Sequence, residues 1–116
     1  MTIIFKICRA AEWAEAAREG AFRGSAIDLS DGYIHFSTGK QVAETAAKHF
    51  AGQIDLVLVA VDAAALGDSL KWEPSRGGAL FPHLYGELPA TAALWVKPLL
   101  LSASGKHEFP PLGDIG

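Results

Sequence analysis

Hydrophobic positions along the chain form strand-length runs separated by stretches with helical spacing. The run QIDLVLVAVDA at 53–63 is apolar almost throughout, between Asp55 and Asp62. A continuous apolar run of strand length is typical of a strand buried on both faces, so this segment is predicted to be a central strand. TIIFKIC at 2–8 is rich in β-branched and aromatic residues and predicts another strand.

The strand at 2–8 carries one lysine among its apolar residues. By alternation, Lys6 shares a face with Ile4 and Cys8. A lysine in such a strand usually lies at a solvated edge, and a face that borders a cleft is the alternative. Cys8 is expected to be a buried, unreactive thiol.

A first helix is predicted from AAEWAEAAREG at 10–20, which is rich in helix formers. Trp13 belongs to its packing side, and Gly20 is a typical C-terminal signal. The segment that follows, AFRGSAIDLSDG at 21–32, is rich in glycine, serine and aspartate. It is predicted to be a loop that leads into a turn.

The segment DGYIHFSTGKQVAETAAKHF at 31–50 indicates a strand followed by a helix. In YIHFST, alternation gives one apolar face and one polar face, and the polar face carries Tyr33, His35 and Ser37. Because polar groups on one strand face can converge on a ligand, this junction is predicted to contain the functional site.

The helix at this junction is predicted to begin at Thr38, because Gln41 three residues later would complete a capping box. Its first backbone N–H groups and its dipole favour an electronegative group. Its packed face includes His49, which is interpreted as a structural histidine, and Gly52 ends the helix.

The second half of the chain predicts shorter strands. Strand character returns at 70–72, and a loop follows at 73–78. Pro82 interrupts ALFPHLYG and therefore predicts an edge strand or an irregular segment. TAALWVKPLLL is predicted to be the last strand, ending near Pro98. The whole pattern predicts one α+β domain at 1–104, with a mixed, mostly antiparallel split sheet and two helices, and an extended tail at 105–116.

Composition narrows the class of protein. The 116 residues are half hydrophobic and carry a net charge of −3, which argues against a nucleic-acid-binding surface. A chain of this length buries enough surface to fold without a disulfide or metal. Its apolar runs fall short of the roughly 20 residues of a membrane span. The protein is therefore expected to be cytoplasmic, with a small-molecule ligand and no membrane partner; the sequence leaves its oligomeric state open.

No standard local motif for phosphate binding, hydrolysis or zinc binding is present. The four histidines are widely separated, so no metal site is predicted. His35 and Ser37 are two residues apart on one strand and would point in parallel. A nucleophile and its base normally come from separate elements, so this pair fits two groups that hold one ligand better.

A second polar cluster is predicted in WEPSRGGALFPHLYGE at 72–87. It contains Glu73, Arg76, His83, Tyr85 and Glu87. Each alone has a structural explanation, such as a loop ion pair or a hydrogen-bonded histidine. Together they favour function, because polar residues in an apolar segment cost desolvation unless they are paired or used.

The pattern YIHFST–GKQ–AxxxxxHF, then LVLVAVD, then LKWEPSRGG–LFPHLYG resembles the small bacterial family called domain of unknown function 952. The resemblance covers nearly the whole chain. It implies membership of that family, but it implies no activity.

Residues 31–63 also resemble the catalytic lobe of RNA 2′-phosphotransferases, where a Y-V-H-L-S strand precedes a helix and an apolar strand ending in V-D-A. This resemblance implies the ADP-ribosyltransferase fold, which binds NAD in a cleft between two small antiparallel sheets. In that fold an early arginine or histidine precedes the middle motif and a glutamate follows late. This chain offers Lys6 or Arg9 early and Glu73 or Glu87 late.

The resemblance implies roles for the residues of the first cluster. His35 would orient the nicotinamide ribose, and Ser37 and Thr38 would assist NAD binding. Glu73, from the second cluster, would stabilise the positive charge that develops at the ribose carbon as nicotinamide leaves.

In the rest of the second cluster, Arg76 would contact the pyrophosphate, and His83 and Tyr85 would line the acceptor side. The predicted catalytic residues are thus His35, Glu73 and His83, in a cleft between the YIHFST and WEPSRGG/FPHLYG segments. The predicted function is an NAD-binding or ADP-ribosyl-transferring enzyme. The alternative is a non-catalytic module that binds a small ligand or a protein.

Overall fold

Antiparallel sheets and α-helices make up the part of the chain that the computed structural model describes, residues 1–112 without the side chain of Arg76. Residues 113–116, at the end of the predicted tail, lie outside the described residues. The strand pairings within 1–112 are antiparallel. They confirm the predicted α+β class with a mostly antiparallel sheet.

The strands of the described chain, in order, are β1 Ile3–Arg9, β2 Ala21–Phe22, β3 Ile34–His35, β4 Ser37–Thr38, β5 Leu56–Asp62, β6 Leu70–Pro74, β7 Leu80–Leu84, β8 Leu88–Pro89, β9 Ala93–Leu101 and β10 His107–Glu108. The α-helices are α1 Ala10–Glu19, α2 Ala26–Asp31 and α3 Val42–His49. Over residues 1–112 the α-helices therefore number three, so the prediction of two was wrong.

β5 lies at the centre of a sheet with the order β10-β9-β5-β1-β4. It pairs with β1 along its whole length, from Ile3 opposite Asp62 to Arg9 opposite Leu56. Both of its faces are buried. Val59 and Val61 belong to one hydrophobic core cluster, and the alternating residues Leu58 and Ala60 belong to a second. The prediction of a central strand is confirmed.

α1 and α3 cover opposite faces of this sheet. Trp13 and Ala16 of α1 join the cluster that contains Val59, whereas Val42 and Ala46 of α3 join the other. α1 ends at Gly20 in the left-handed conformation, as predicted. Over residues 1–112, no helix is long and apolar enough to cross a membrane.

α3 begins at Val42, so the prediction that it begins at Thr38 was wrong. The Thr38 N–H does donate to the Gln41 side chain, at 3.1 Å, as a capping box would require. The Gln41 amide, however, also donates to the Leu80 carbonyl on β7. Residues 39–41 form a turn, and the helix starts after it.

The segment predicted as a loop at 21–32 contains β2 and α2. α2 is six residues long, with Gly32 in the left-handed conformation after it. Its apolar residues Ile27 and Leu29 are exposed, and its buried residue is Asp28. Hydrophobic periodicity therefore gave no sign of this helix.

β7 is the central strand of a second sheet with the order β3-β7-β6, so the prediction of an edge strand at Pro82 was wrong. The Pro82 carbonyl accepts a hydrogen bond from the Phe36 N–H. In an antiparallel pair the nitrogen and the carbonyl of one residue face the same strand, so the Pro82 nitrogen, which has no hydrogen, also faces Phe36. Phe36 lies between the end of β3 at His35 and the start of β4 at Ser37. The proline is tolerated because the partner strand is interrupted at that point.

The last long strand, β9, passes through Pro98 and ends at Leu101, so its predicted end near Pro98 was wrong. Pro98 is opposite Val57 of β5 on one edge of β9. On the other edge, within the described chain, β10 pairs only with Leu100 and Leu101, so that edge is unpaired at Pro98. β10 lies in the predicted tail, and Phe109 packs against the core cluster under α3.

Candidate functional site

The pairing of β3 with β7 places two histidines side by side. His35 and His83 are opposite each other in the register, and their ring centroids lie 5.5 Å apart in an edge-to-face arrangement. The YIHFST and FPHLYG segments are therefore adjacent strands of one sheet, and they do not face each other across a cleft as predicted. The sheet brings the predicted site residues together by direct pairing.

His35 is held between two carboxylates of α2. Its Nδ1 lies 2.6 Å from Oδ1 of Asp28, and the same oxygen accepts its backbone N–H at 3.1 Å. Its Nε2 lies 3.0 Å from Oδ2 of Asp31. One edge of the ring thus faces a buried acid, and the other faces an acid near the surface.

Asp28 is the anchor of this half of the site. Its Oδ2 accepts hydrogen bonds from Nζ of Lys6 at 2.8 Å and from the Ser25 N–H at 2.9 Å. Burial by itself raises the pKa of the Asp28 carboxyl, but the hydrogen bond from His35 and the Lys6 ammonium outweigh that effect and bring it to about 2. Asp28 is therefore ionised at neutral pH despite its burial.

The Lys6 side chain is buried in this ion pair and does not lie at a solvated edge, so that expectation was wrong. Its partner comes from α2, the helix that the sequence pattern did not reveal. Neither half of the pair could be recognised without the other, because an isolated lysine in a strand is usually exposed.

The second half of the site is built on Glu73. Its Oε1 lies 2.8 Å from Nδ1 of His83 and accepts a hydrogen bond from the Tyr85 hydroxyl, also at 2.8 Å. Hydrogen bonding from His83 and then Tyr85 lowers the pKa of Glu73 below its ordinary value. The same bond raises the pKa of Tyr85. The glutamate is therefore a fixed, ionised carboxylate.

Tyr33 joins the two halves. Its ring centroid lies 4.7 Å from that of His35, 4.1 Å from that of His83 and 5.2 Å from that of Tyr85. Burial and the negative charges of nearby acids raise the pKa of its hydroxyl. The sequence placed Tyr33 on the polar face with His35, but its central position was not predicted.

The structure does not bring Ser37 to this cluster. The Ser37 hydroxyl is buried and lies 2.8 Å from the Thr45 hydroxyl of α3. Thr38 takes part in the turn before α3 through its backbone. The Arg76 side chain, the predicted pyrophosphate contact, lies outside the described residues.

The arrangement brings imidazole, carboxylate and phenol groups together on one patch, which we call the His–Tyr cluster: Tyr33, His35, Glu73, His83 and Tyr85. Imidazole groups can donate, accept or transfer protons, and a fixed carboxylate can stabilise positive charge. Within residues 1–112, no group of three or more histidine, cysteine, aspartate or glutamate side chains is arranged to hold a metal ion.

A cavity of about 470 Å³ lies away from the His–Tyr cluster. It is lined by Leu70 and Trp72 of β6, by the residues before β1, and by Asp62 at the end of β5 with the residues that follow it. The structure therefore contains a patch with reactive groups and a separate concavity without histidines.

The chain is similar to one described family and to solved structures of one bacterial protein. The family described as "Protein of unknown function (DUF952)" matches residues 7–96. The crystal structure of protein CC0527 from Caulobacter crescentus is 53% identical, with a TM-score of 0.89, over 92% of this chain and 94% of that one. The solution NMR structure of CC0527 is 55% identical, with a TM-score of 0.82, over 91% of each chain. No curated protein matches the chain.

Proposed function

We propose that this chain, which belongs to the DUF952 family, binds NAD on the His–Tyr cluster and transfers its ADP-ribosyl group. The observation that carries the proposal is the state of Glu73. Its carboxylate is fixed at one oxygen by His83 and Tyr85, and its pKa is lowered. Among the described side chains, both hydrogen bonds to Glu73 use Oε1, and we assign Oε2 to the ligand.

A fixed anion suits the chemistry of this transfer. The bond between the ribose carbon and the nicotinamide nitrogen breaks, and its electron pair leaves with nicotinamide. The ribose carbon then forms a bond to a nucleophilic acceptor, which releases its proton to solvent. Positive charge develops at that carbon on the way, and Glu73 stabilises it without having to reorganise, because its hydrogen bonds are already in place.

The other members of the cluster hold the ligand. His35 contacts the ribose through Nε2, where the ribose takes the place of the exposed Asp31 carboxylate. The half-exposed rings of Tyr33 and Tyr85 offer faces on which nicotinamide can stack. His83 is buried and acts through Glu73, in place of the acceptor-side role first predicted for it.

The pyrophosphate of NAD needs positive charge nearby. Lys6 is buried against Asp28 and is not available for it. Lys71 is exposed on β6, opposite His83 in the register, and its charge contributes to the lowered pKa of Glu73. We therefore assign the pyrophosphate contact to Lys71, while Arg76 remains a prediction from the sequence.

Calorimetric titration with NAD tests the proposal. We expect the wild type to bind and Glu73→Gln and His35→Ala to weaken binding about tenfold each, the usual loss for a hydrogen bond with a charged partner. Glu73→Gln should also abolish nicotinamide release in the presence of a nucleophilic acceptor. No binding at millimolar NAD, or unchanged affinity in both variants, would overturn the proposal.

The second candidate function is non-catalytic binding of a small ligand in the cavity beside Trp72. Its volume of about 470 Å³ falls within the usual range of ligand sites, roughly 300–1,000 Å³. Trp72→Ala is the matching variant, because it alters this cavity and leaves Glu73 and His35 in place. If NAD binding is lost in Trp72→Ala and kept in Glu73→Gln, the ligand occupies the cavity and the cluster is not the site.

A further inference from the structure

The surroundings of His35 show how its ring is oriented. Nδ1 faces Asp28, which is ionised and can only accept hydrogen bonds, so Nδ1 must carry the proton of that 2.6 Å bond. The backbone N–H of His35 donates to the same oxygen. One carboxylate thus fixes both the main chain and the ring of the histidine.

Asp28 can do this only because its own position is fixed. It is fully buried and accepts four hydrogen bonds, two from His35 and one each from Lys6 and Ser25. Gly24 leaves the space that Asp28 occupies, since a Cβ on Gly24 would lie 2.8 Å from the Asp28 Cβ. The carboxylate is therefore fixed by donors from three separate segments, of which Lys6 is itself buried.

Asp31 provides a natural contrast on the other edge of the ring. It is the last residue of α2 and is exposed, and the structure records its carboxylate only against Nε2 of His35. Among the described residues, nothing holds it as Asp28 is held. A solvated contact of this kind contributes little to orientation.

We propose that the buried Lys6–Asp28 pair is the positioning device of His35. It keeps Nδ1 protonated and turned inward, and it leaves Nε2 on the outer edge of the ring beside the exposed Asp31, whose carboxylate a ligand would replace. Lys6 and Asp28 are positioning residues, since they act through His35 and touch no ligand. The inference rests on the proposed function in treating His35 as a ligand contact, but its test does not depend on NAD.

The test must consider every ionisable group near the ring. These groups are Asp28 and Asp31 on α2, Lys6 on β1 acting through Asp28, Tyr33 beside β3, and His83 on β7 acting with Glu73. Asp28→Asn and Asp31→Asn remove one carboxylate charge each, from opposite edges of the same ring. They are therefore a matched pair.

The measurement is the ¹⁵N chemical shifts of the His35 ring by NMR, followed over the pH range in which the protein is folded. In the wild type and in Asp31→Asn, we expect Nδ1 to stay protonated after the ring becomes neutral. In Asp28→Asn, we expect this preference to be lost and the common Nε2–H tautomer to appear. Lys6→Gln should shift the ring in the same direction as Asp28→Asn.

Two results would overturn the inference. One is a wild-type neutral ring with its proton on Nε2, which needs no variant and so stands even if Asp28→Asn does not fold. The other is retention of the Nδ1–H tautomer in Asp28→Asn. Neither result depends on NAD binding, so a failure of the proposed function and a failure of this inference are distinguishable.

Discussion

The site contains two pairs of a histidine and a carboxylate, and the buried partner is the acid in one pair and the histidine in the other. In the first, the His35 side chain is 33% exposed and its partner Asp28 is 1% exposed. In the second, the His83 side chain is 5% exposed and its partner Glu73 is 38% exposed. The pairs lie on neighbouring strands, with the two histidines opposite each other.

This inversion decides what each pair presents to solvent. The first pair offers an imidazole supported by a buried acid, and the second offers a carboxylate supported by a buried imidazole. A site that needs both a proton-carrying group and a fixed negative charge obtains them from one repeated pair. The comparison also predicts that charge removal will have very different effects in the two halves.

The largest effect is expected from Lys6→Met. It leaves the Asp28 carboxylate buried without its cation, and breaking a buried pair in this way costs about 3–5 kcal/mol of unfolding free energy. Urea denaturation measures the loss.

The matched control for that variant is Lys48→Met, which removes a lysine from an exposed pair with Glu44 on α3. Exposed pairs contribute roughly 0.2–1 kcal/mol, so its midpoint should hardly move. If both lysine variants lose similar stability, the buried pair is not the stronger anchor.

The second effect is acid sensitivity. The folded-state pKa of Asp28, about 2, lies below its ordinary value of 3.8. Stability from the ionised carboxylate is therefore complete above pH 3.8 and is lost as the pH falls towards 2. The loss amounts to about 2 kcal/mol and should be visible in the unfolding free energy measured from pH 5 downwards.

Asp28→Asn should remove most of this acid dependence, although it lowers stability at neutral pH. Glu73→Gln should leave it largely intact, because Glu73 is solvated and its contribution is screened. Equal acid profiles for the two variants would show that burial does not distinguish the two carboxylates.

The smallest effect is expected from Tyr85→Phe. It deletes one of the two hydrogen bonds that described side chains make to Glu73, so the pKa of Glu73 should rise towards its ordinary value. The melting temperature should stay the same, since both groups lie at the surface. A ¹³C NMR titration of the Glu73 carboxyl measures the pKa, and an unchanged value would mean that His83 alone holds the carboxylate.

Part of this arrangement could be predicted from the sequence. The apolar run of β5 identified the central strand, and the alternation around His35 predicted an apolar face and a polar face. Ile34 and Phe36 are buried while His35 remains partly exposed, as that alternation requires. Periodicity succeeds where apolar side chains are what the core contains.

The features that the sequence did not predict depend on buried polar groups, which hydrophobic periodicity does not reveal. α2 buries Asp28 and exposes Ile27 and Leu29, so its pattern is the reverse of an amphipathic helix. Lys6 is buried only because that aspartate meets it. Pro82 occupies a central strand because the partner strand is interrupted at Phe36. Each of these depends on a contact between segments that are distant in sequence.

The split of one extended segment into β3 and β4 has a consequence for the order of folding. β4 pairs with β1, near the start of the chain, whereas β3 pairs with β7, near residue 83. Segments this far apart meet only after long loops have closed, and such closure slows folding. The ring contacts of Tyr33 with His83 and Tyr85 therefore cannot form before the long loop between β3 and β7 has closed.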